Sequence, residues 1–136
     1  MSKIATVILA IGICLAPWQN AAAQLDGSSS LLCAVVKVIE CESTGNCQPV
    51  TIESAKIPRF LRIDFEKKTI SATEESGIKE VSVIRNFERI AGKLILQGSD
   101  NGRGWTIVIS ERTGELSATV AGEEVGFVIF GASTKD

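Results

Sequence analysis

The stretch KLILQGSDNGRGWTIVIS, residues 93–110, decides the fold class. At its centre stands Asn101-Gly102. Both residues tolerate the positive φ that a two-residue type I′ turn demands, so the pair is a strong hairpin signal. On the far side Trp105, Ile107 and Ile109 alternate with Thr106 and Val108, the period of a strand with one face turned to a core. Lys93 to Gly98 forms the incoming arm.

The same grammar repeats outward. Thr113-Gly114 turns into Glu115–Ala121, where Leu116, Ala118 and Val120 align. Gly122 precedes a last strand, 124–131. Upstream, Leu61, Ile63 and Phe65 alternate with Arg62, Asp64 and Glu66. Lys67-Lys68 turns this strand, 59–66, into 69–73. A longer strand, 80–90, is expected with Val81 and Val83 inward and a bulge near Asn86, and Ala91-Gly92 ends it. Leu31–Cys41 has apolar content compatible with a helix, but its β-branched density favours a strand. Residues 42–58, with Pro49 and Pro58, read as an irregular crossover with a short strand near Val50–Glu53.

The expectation is an all-β domain, an antiparallel meander of about eight strands. It closes, or nearly closes, into a small up-and-down barrel. Closure also removes the exposed edge that Phe127-Val128-Ile129-Phe130, apolar on both faces, would otherwise present. The interior is expected to draw on Trp105, Ile107, Ile109, Leu116, Val120, Phe127 and Ile129.

The N-terminus reads as an export signal. Lys3 gives a positive start, Ile4–Ala16 is apolar, and Ala21-Ala22-Ala23 supplies small residues for cleavage before Gln24. The apolar run, about 13 residues, falls short of the roughly 20 a spanning helix needs. Ile13, bulky before Cys14, argues against lipid attachment there. The expected organisation is a signal peptide at 1–23, a mobile leader at 24–30 and one β domain at 31–136, periplasmic or secreted and monomeric. Contact with a membrane is expected only through the cleaved signal.

Composition excludes several functions. The chain has no His and no Tyr, which removes His-based triads and His-containing zinc sites. Without Lys3 the balance is 13 basic against 16 acidic residues, with no excess to hold a phosphate backbone. No metal, cofactor or nucleic acid is expected. Gly98–Gly104 is glycine-rich but lacks the Gly-Lys-Ser/Thr ending of a phosphate loop. Asp64 and Glu66, about 7 Å apart on one strand face, are the pair a carboxylate hydrolase would use. That alternative sets an enzyme against the favoured reading, a noncatalytic binding protein. Trp105 is a core residue or a ligand contact, and Arg59 and Arg62 are candidate partner contacts beside Phe60 and Phe65.

Past the signal the chain keeps Cys33, Cys41 and Cys47. Cys33 and Cys41 in one extended strand would lie about 26 Å apart, beyond the roughly 7 Å a disulfide allows. Cys41–Cys47 closes a short loop through Gly45-Asn46 and is the expected bond, with Cys33 a free thiol. A Cys33–Cys47 bond stays open at this point.

The chain resembles a set of small exported β-domain proteins of Gram-negative bacteria to which no activity is assigned. The resemblance rests on Cys33-Ala34, the Cys41–Cys47 loop, Phe60-Leu61-Arg62-Ile63-Asp64-Phe65, Leu94-Ile95-Leu96-Gln97-Gly98, Gly104-Trp105 and Phe130-Gly131-Ala132. Similar chains carry a cysteine after the last of these, where this chain has Ser133. If first and last strands meet on closure, Cys33 and Ser133 should lie side by side. The resemblance carries no activity with it; the favoured reading stays a noncatalytic binding protein of the envelope, with a protein partner, such as a hydrolase to be inhibited, or a small apolar ligand inside the barrel.

Overall fold

The computed structural model describes residues 24–136; the signal peptide expected at 1–23 lies outside them. Ten antiparallel strands follow one another: β1 (Leu31–Glu42), β2 (Cys47–Val50), β3 (Phe60–Asp64), β4 (Thr69–Ala72), β5 (Val81–Val83), β6 (Asn86–Ile90), β7 (Lys93–Asp100), β8 (Arg103–Ser110), β9 (Glu115–Ala121) and β10 (Val125–Lys135). A single 3-10 turn, Glu74–Ser76, separates β4 from β5.

Nine of the strands form one curled half-barrel sheet in the order β5-β4-β3-β1-β10-β9-β8-β7-β6, and β2 joins it by pairing with β1. First and last strands meet, as the meander requires: β1 pairs with β10 from Leu31↔Lys135 to Glu42↔Val125. The apolar run of β10 is therefore central, flanked by β1 and β9. A bulge between Val35 and Lys37 leaves Val36 exposed on the outside. The two ends of the sheet order, β5 and β6, are consecutive in the chain. Ile84 N–H donates to the Lys68 carbonyl on one side, and Arg85 N–H to the Gln97 carbonyl on the other, each at 2.9 Å. One segment thus crosses from one end of the curl to the other.

The hairpin at Asn101-Gly102 forms as its sequence demands, with φ of 49° and 75°. Strand alternation sends Ile107, Ile109, Leu116, Phe127 and Ile129 into the core, with Trp105 and Val120 half-buried against it. The deepest side chains include Leu31, Val38, Ile63, Leu94, Leu96 and Ile109.

Four expectations about the strands need correcting. Val81 and Val83 face outward, while Ser82 and Ile84 turn in. Ser82 sits opposite Ile70, whose buried side chain fixes the inward face. Residues 80–90 form two strands, because their halves pair with different partners, β4 and β7. Strand 59–66 stops at Asp64, whose Oδ1 accepts the Lys67 N–H at 2.8 Å and starts the turn. In the crossover the short strand is Cys47–Val50, not Val50–Glu53, and it pairs with the second half of β1. The segment 24–30 is held at its start: Leu25 is buried and its N–H donates to the Glu111 carbonyl at 3.0 Å.

Cys41 and Cys47 are register partners on β1 and β2 and are disulfide-bonded, with Cα atoms 4.1 Å apart. Cys33 is free and buried. It faces Ser133 across the β1–β10 seam, and the Ser133 hydroxyl donates to Cys33 Sγ at 3.3 Å. Burial pushes the Cys33 thiol from its ordinary 9.0 up to about 11, the Ser133 hydrogen bond opposing part of the rise. The native state therefore favours the protonated thiol. That contribution is fully present below pH 9 and is lost as pH rises through 11, since the unfolded chain ionises first. Denaturant melts between pH 8 and 11 should show the wild type losing about 2 to 3 kcal/mol more than Cys33→Ala across that window. Equal slopes would contradict the buried, protonated thiol.

Candidate functional site

Inward alternation along the curled sheet leaves its centre incompletely filled. A cavity of about 250 Å³ remains, open at one end. Strand β1 contributes Cys33 and Val35 to its wall, β3 Leu61 and β4 Ile70. The opposite wall comes from Trp105 and Ile107 of β8, Leu116 and Ala118 of β9, and Phe127 and Ile129 of β10. These are the same side chains that strand periodicity directs inward. The cavity exceeds the roughly 150 Å³ that accepts benzene in an engineered core and falls just under the roughly 300 Å³ at which drug-sized pockets begin.

The mouth is built by turns. The β7–β8 hairpin brings Asp100, Asn101 and Arg103 to it, the loop before β3 brings Lys56, Ile57 and Pro58, and the approach to β5 brings Glu80. Trp105 lies between mouth and interior. Its Nε1–H donates to Asp100 Oδ2 at 3.0 Å. Its ring rests on Gly98, directly across the ladder, where a Cβ would stand 2.2 Å from Cζ2. The missing side chain at Gly98 is what lets the indole occupy that position.

Of the residues singled out from sequence, Trp105 lines the cavity. Arg59 and Arg62 do not join it. Arg59 is exposed and bonds Glu53 at 2.9 Å; Arg62 points away from the inward Leu61 and Ile63 and pairs with Asp136. Asp64 and Glu66 share no strand face, because Asp64 ends β3 and Glu66 lies in the following turn. They do not form the facing carboxylate pair expected of a hydrolase. Among the described residues, no three His, Cys, Asp or Glu side chains gather as a metal site would require.

A buried acid went unpredicted. Glu111 follows β8, and its carboxylate receives Arg89 Nε at 2.6 Å, Arg89 Nη2 at 3.0 Å and Gln24 Nε2 at 2.9 Å. The Arg89 guanidinium above all, with the Gln24 amide, holds this carboxyl below the usual carboxylate range. The cluster ties the start of the described chain to β6 and lies apart from the cavity. Nothing local to Glu111 signals it, since its partners are 22 and 87 residues away.

No known family profile matches the chain, and neither the curated proteins nor the solved structures give a significant match.

Proposed function

We propose that this chain is a noncatalytic binding protein of the cell envelope, exported behind residues 1–23, that holds a small apolar ligand inside its curled sheet. The observation that carries the reading is the largely apolar lining of the cavity, with Ser82 on its wall and the charged side chains Lys56, Glu80, Asp100 and Arg103 at its mouth. Such an arrangement takes an apolar body out of water and leaves one end near solvent. The Cys41–Cys47 bond is consistent with an oxidising compartment.

Size bounds the ligand. At about 30 Å³ for each water-sized unit, the cavity takes roughly eight heavy atoms. At about 0.8 kcal/mol for each buried methylene, an eight-carbon chain gathers about 6 kcal/mol. That corresponds to a dissociation constant in the tens of micromolar at best, before association costs.

Trp105 is the sole tryptophan after the expected cleavage site and reports on the cavity directly. Titration of the 24–136 protein with octan-1-ol should change its emission saturably, with one site per chain. A linear change that never saturates would contradict the reading.

A protein partner is the second reading. It draws on exposed Phe60, Val36 and Phe130, carried by the neighbouring strands β3, β1 and β10. A partner seated there would leave the Trp105 signal with octan-1-ol intact, so the two readings separate.

A further inference from the structure

The mouth of the cavity carries charge that the fold does not use. Lys56 and Arg103 both border it and both are exposed. Among the described residues, neither takes part in an ion pair, whereas Arg59, Arg62, Lys67 and Arg89 all do. Two carboxylates, Asp100 and Glu80, border the same mouth and equal Lys56 and Arg103 in number, Asp100 being the ladder partner of Arg103. Asp100 already accepts the Trp105 indole N–H, and Glu80 stands alone. Arg103 also has a defined neighbour. Its stem runs beside Gly122 at the β9–β10 turn, where a Cβ would sit 3.6 Å from Cγ and 3.7 Å from Nε.

We propose that the ligand is an amphipathic anion, an aliphatic acid of about eight carbons whose chain fills the cavity and whose carboxylate lies between Lys56 and Arg103 at its mouth. This inference rests on the apolar-ligand reading above. An acidic head gains charge-assisted hydrogen bonds, which are shorter and stronger than neutral ones. A guanidinium offers a fork of donors matched to a carboxylate, and the Lys56 ammonium adds a second positive charge. An alcohol of the same length gains only neutral hydrogen bonds there. An amine meets Lys56 and Arg103 as like charges and has Glu80 and the indole-bound Asp100 as its partners, with no planar fork of donors to hold it. Because the head remains near solvent, the preference is moderate and weakens with added salt.

Three probes of equal chain length test this: octanoate, octan-1-ol and octylamine, each titrated against Trp105 emission at pH 7 and low salt. The expected order is octanoate tightest, by about five- to tenfold over octan-1-ol, and octylamine weakest. The Lys56→Gln/Arg103→Gln double variant should bind octanoate no more tightly than octan-1-ol, and Arg103→Lys should keep part of the preference. A thermal melt establishes that each variant is folded. Equal binding of all three probes, or a preference for the amine, would overturn the anionic head while leaving the cavity reading in place. Failure of all three probes to saturate would overturn the cavity reading itself.

Discussion

Ser133→Cys will form a disulfide with Cys33 and raise the melting temperature. The two positions are register partners in the antiparallel β1–β10 ladder, and the native Oγ and Sγ are 3.3 Å apart. Directly opposite residues in such a ladder have Cα atoms about 4.5 to 5.5 Å apart, inside the window a disulfide accepts. Cys33 and residue 133 enclose a loop of about 100 residues, worth up to roughly 4 to 5 kcal/mol in the chain-entropy picture. Engineered bonds usually deliver less, so about 2 kcal/mol is expected, or roughly 8–12 °C for a domain of this size. Non-reduced peptide mapping should find Cys33 bonded to residue 133 and Cys41 still bonded to Cys47. An introduced cysteine left free beside a free Cys33 would contradict the observed register.

The same seam is exposed to a smaller change at Gly131. A Cβ built there would stand 2.1 Å from the Ala34 carbonyl oxygen, a backbone atom at the β1 bulge. No side chain can move aside to relieve that contact, so the ladder itself must shift. Overpacking against side chains typically costs about 1 to 3 kcal/mol; against backbone in a central seam, Gly131→Ala should cost at least about 3. Gly104→Ala is the matched control. It also lies in a strand, but nothing stands within 4 Å of its Cβ position, and its effect should stay within about 0.5 kcal/mol. Urea midpoints of the two variants measure the contrast. Equal, small losses would mean that β1 and β10 are not packed as closely as described.

How much of this is visible in the sequence depends on the distance over which each feature is fixed. The Asn101-Gly102 turn and the alternation of 104–121 are local, and both are legible. So is the Cys41–Cys47 bond, because six residues around a turn bring the pair together. The segment 81–90 shows where local reading fails. Period-2 alternation has two phases, and Val81-Ser82-Val83 suggests the wrong one. Only pairing with β4, which sets Ser82 opposite buried Ile70, selects the other. Trp105 stands out as a candidate by composition alone. The mouth around it does not, since Lys56, Glu80, Asp100 and Arg103 come from separate turns. Arg62 resembles part of a free basic cluster because its neutralising partner, Asp136, is 74 residues away.

A ligand held inside the cavity should be displaced when a side chain fills the cavity. Ala118 lies on its wall, buried and paired with Ile107 and Ile129. Ala118→Phe should project its ring into the open volume and leave the melting temperature unchanged or higher, as filling a void commonly does. Wild type and Ala118→Phe would be titrated side by side with octan-1-ol, reading Trp105 emission. Saturable binding by the wild type and none by the folded variant is the expected result. Equal saturation in both would place the ligand outside the cavity and contradict it.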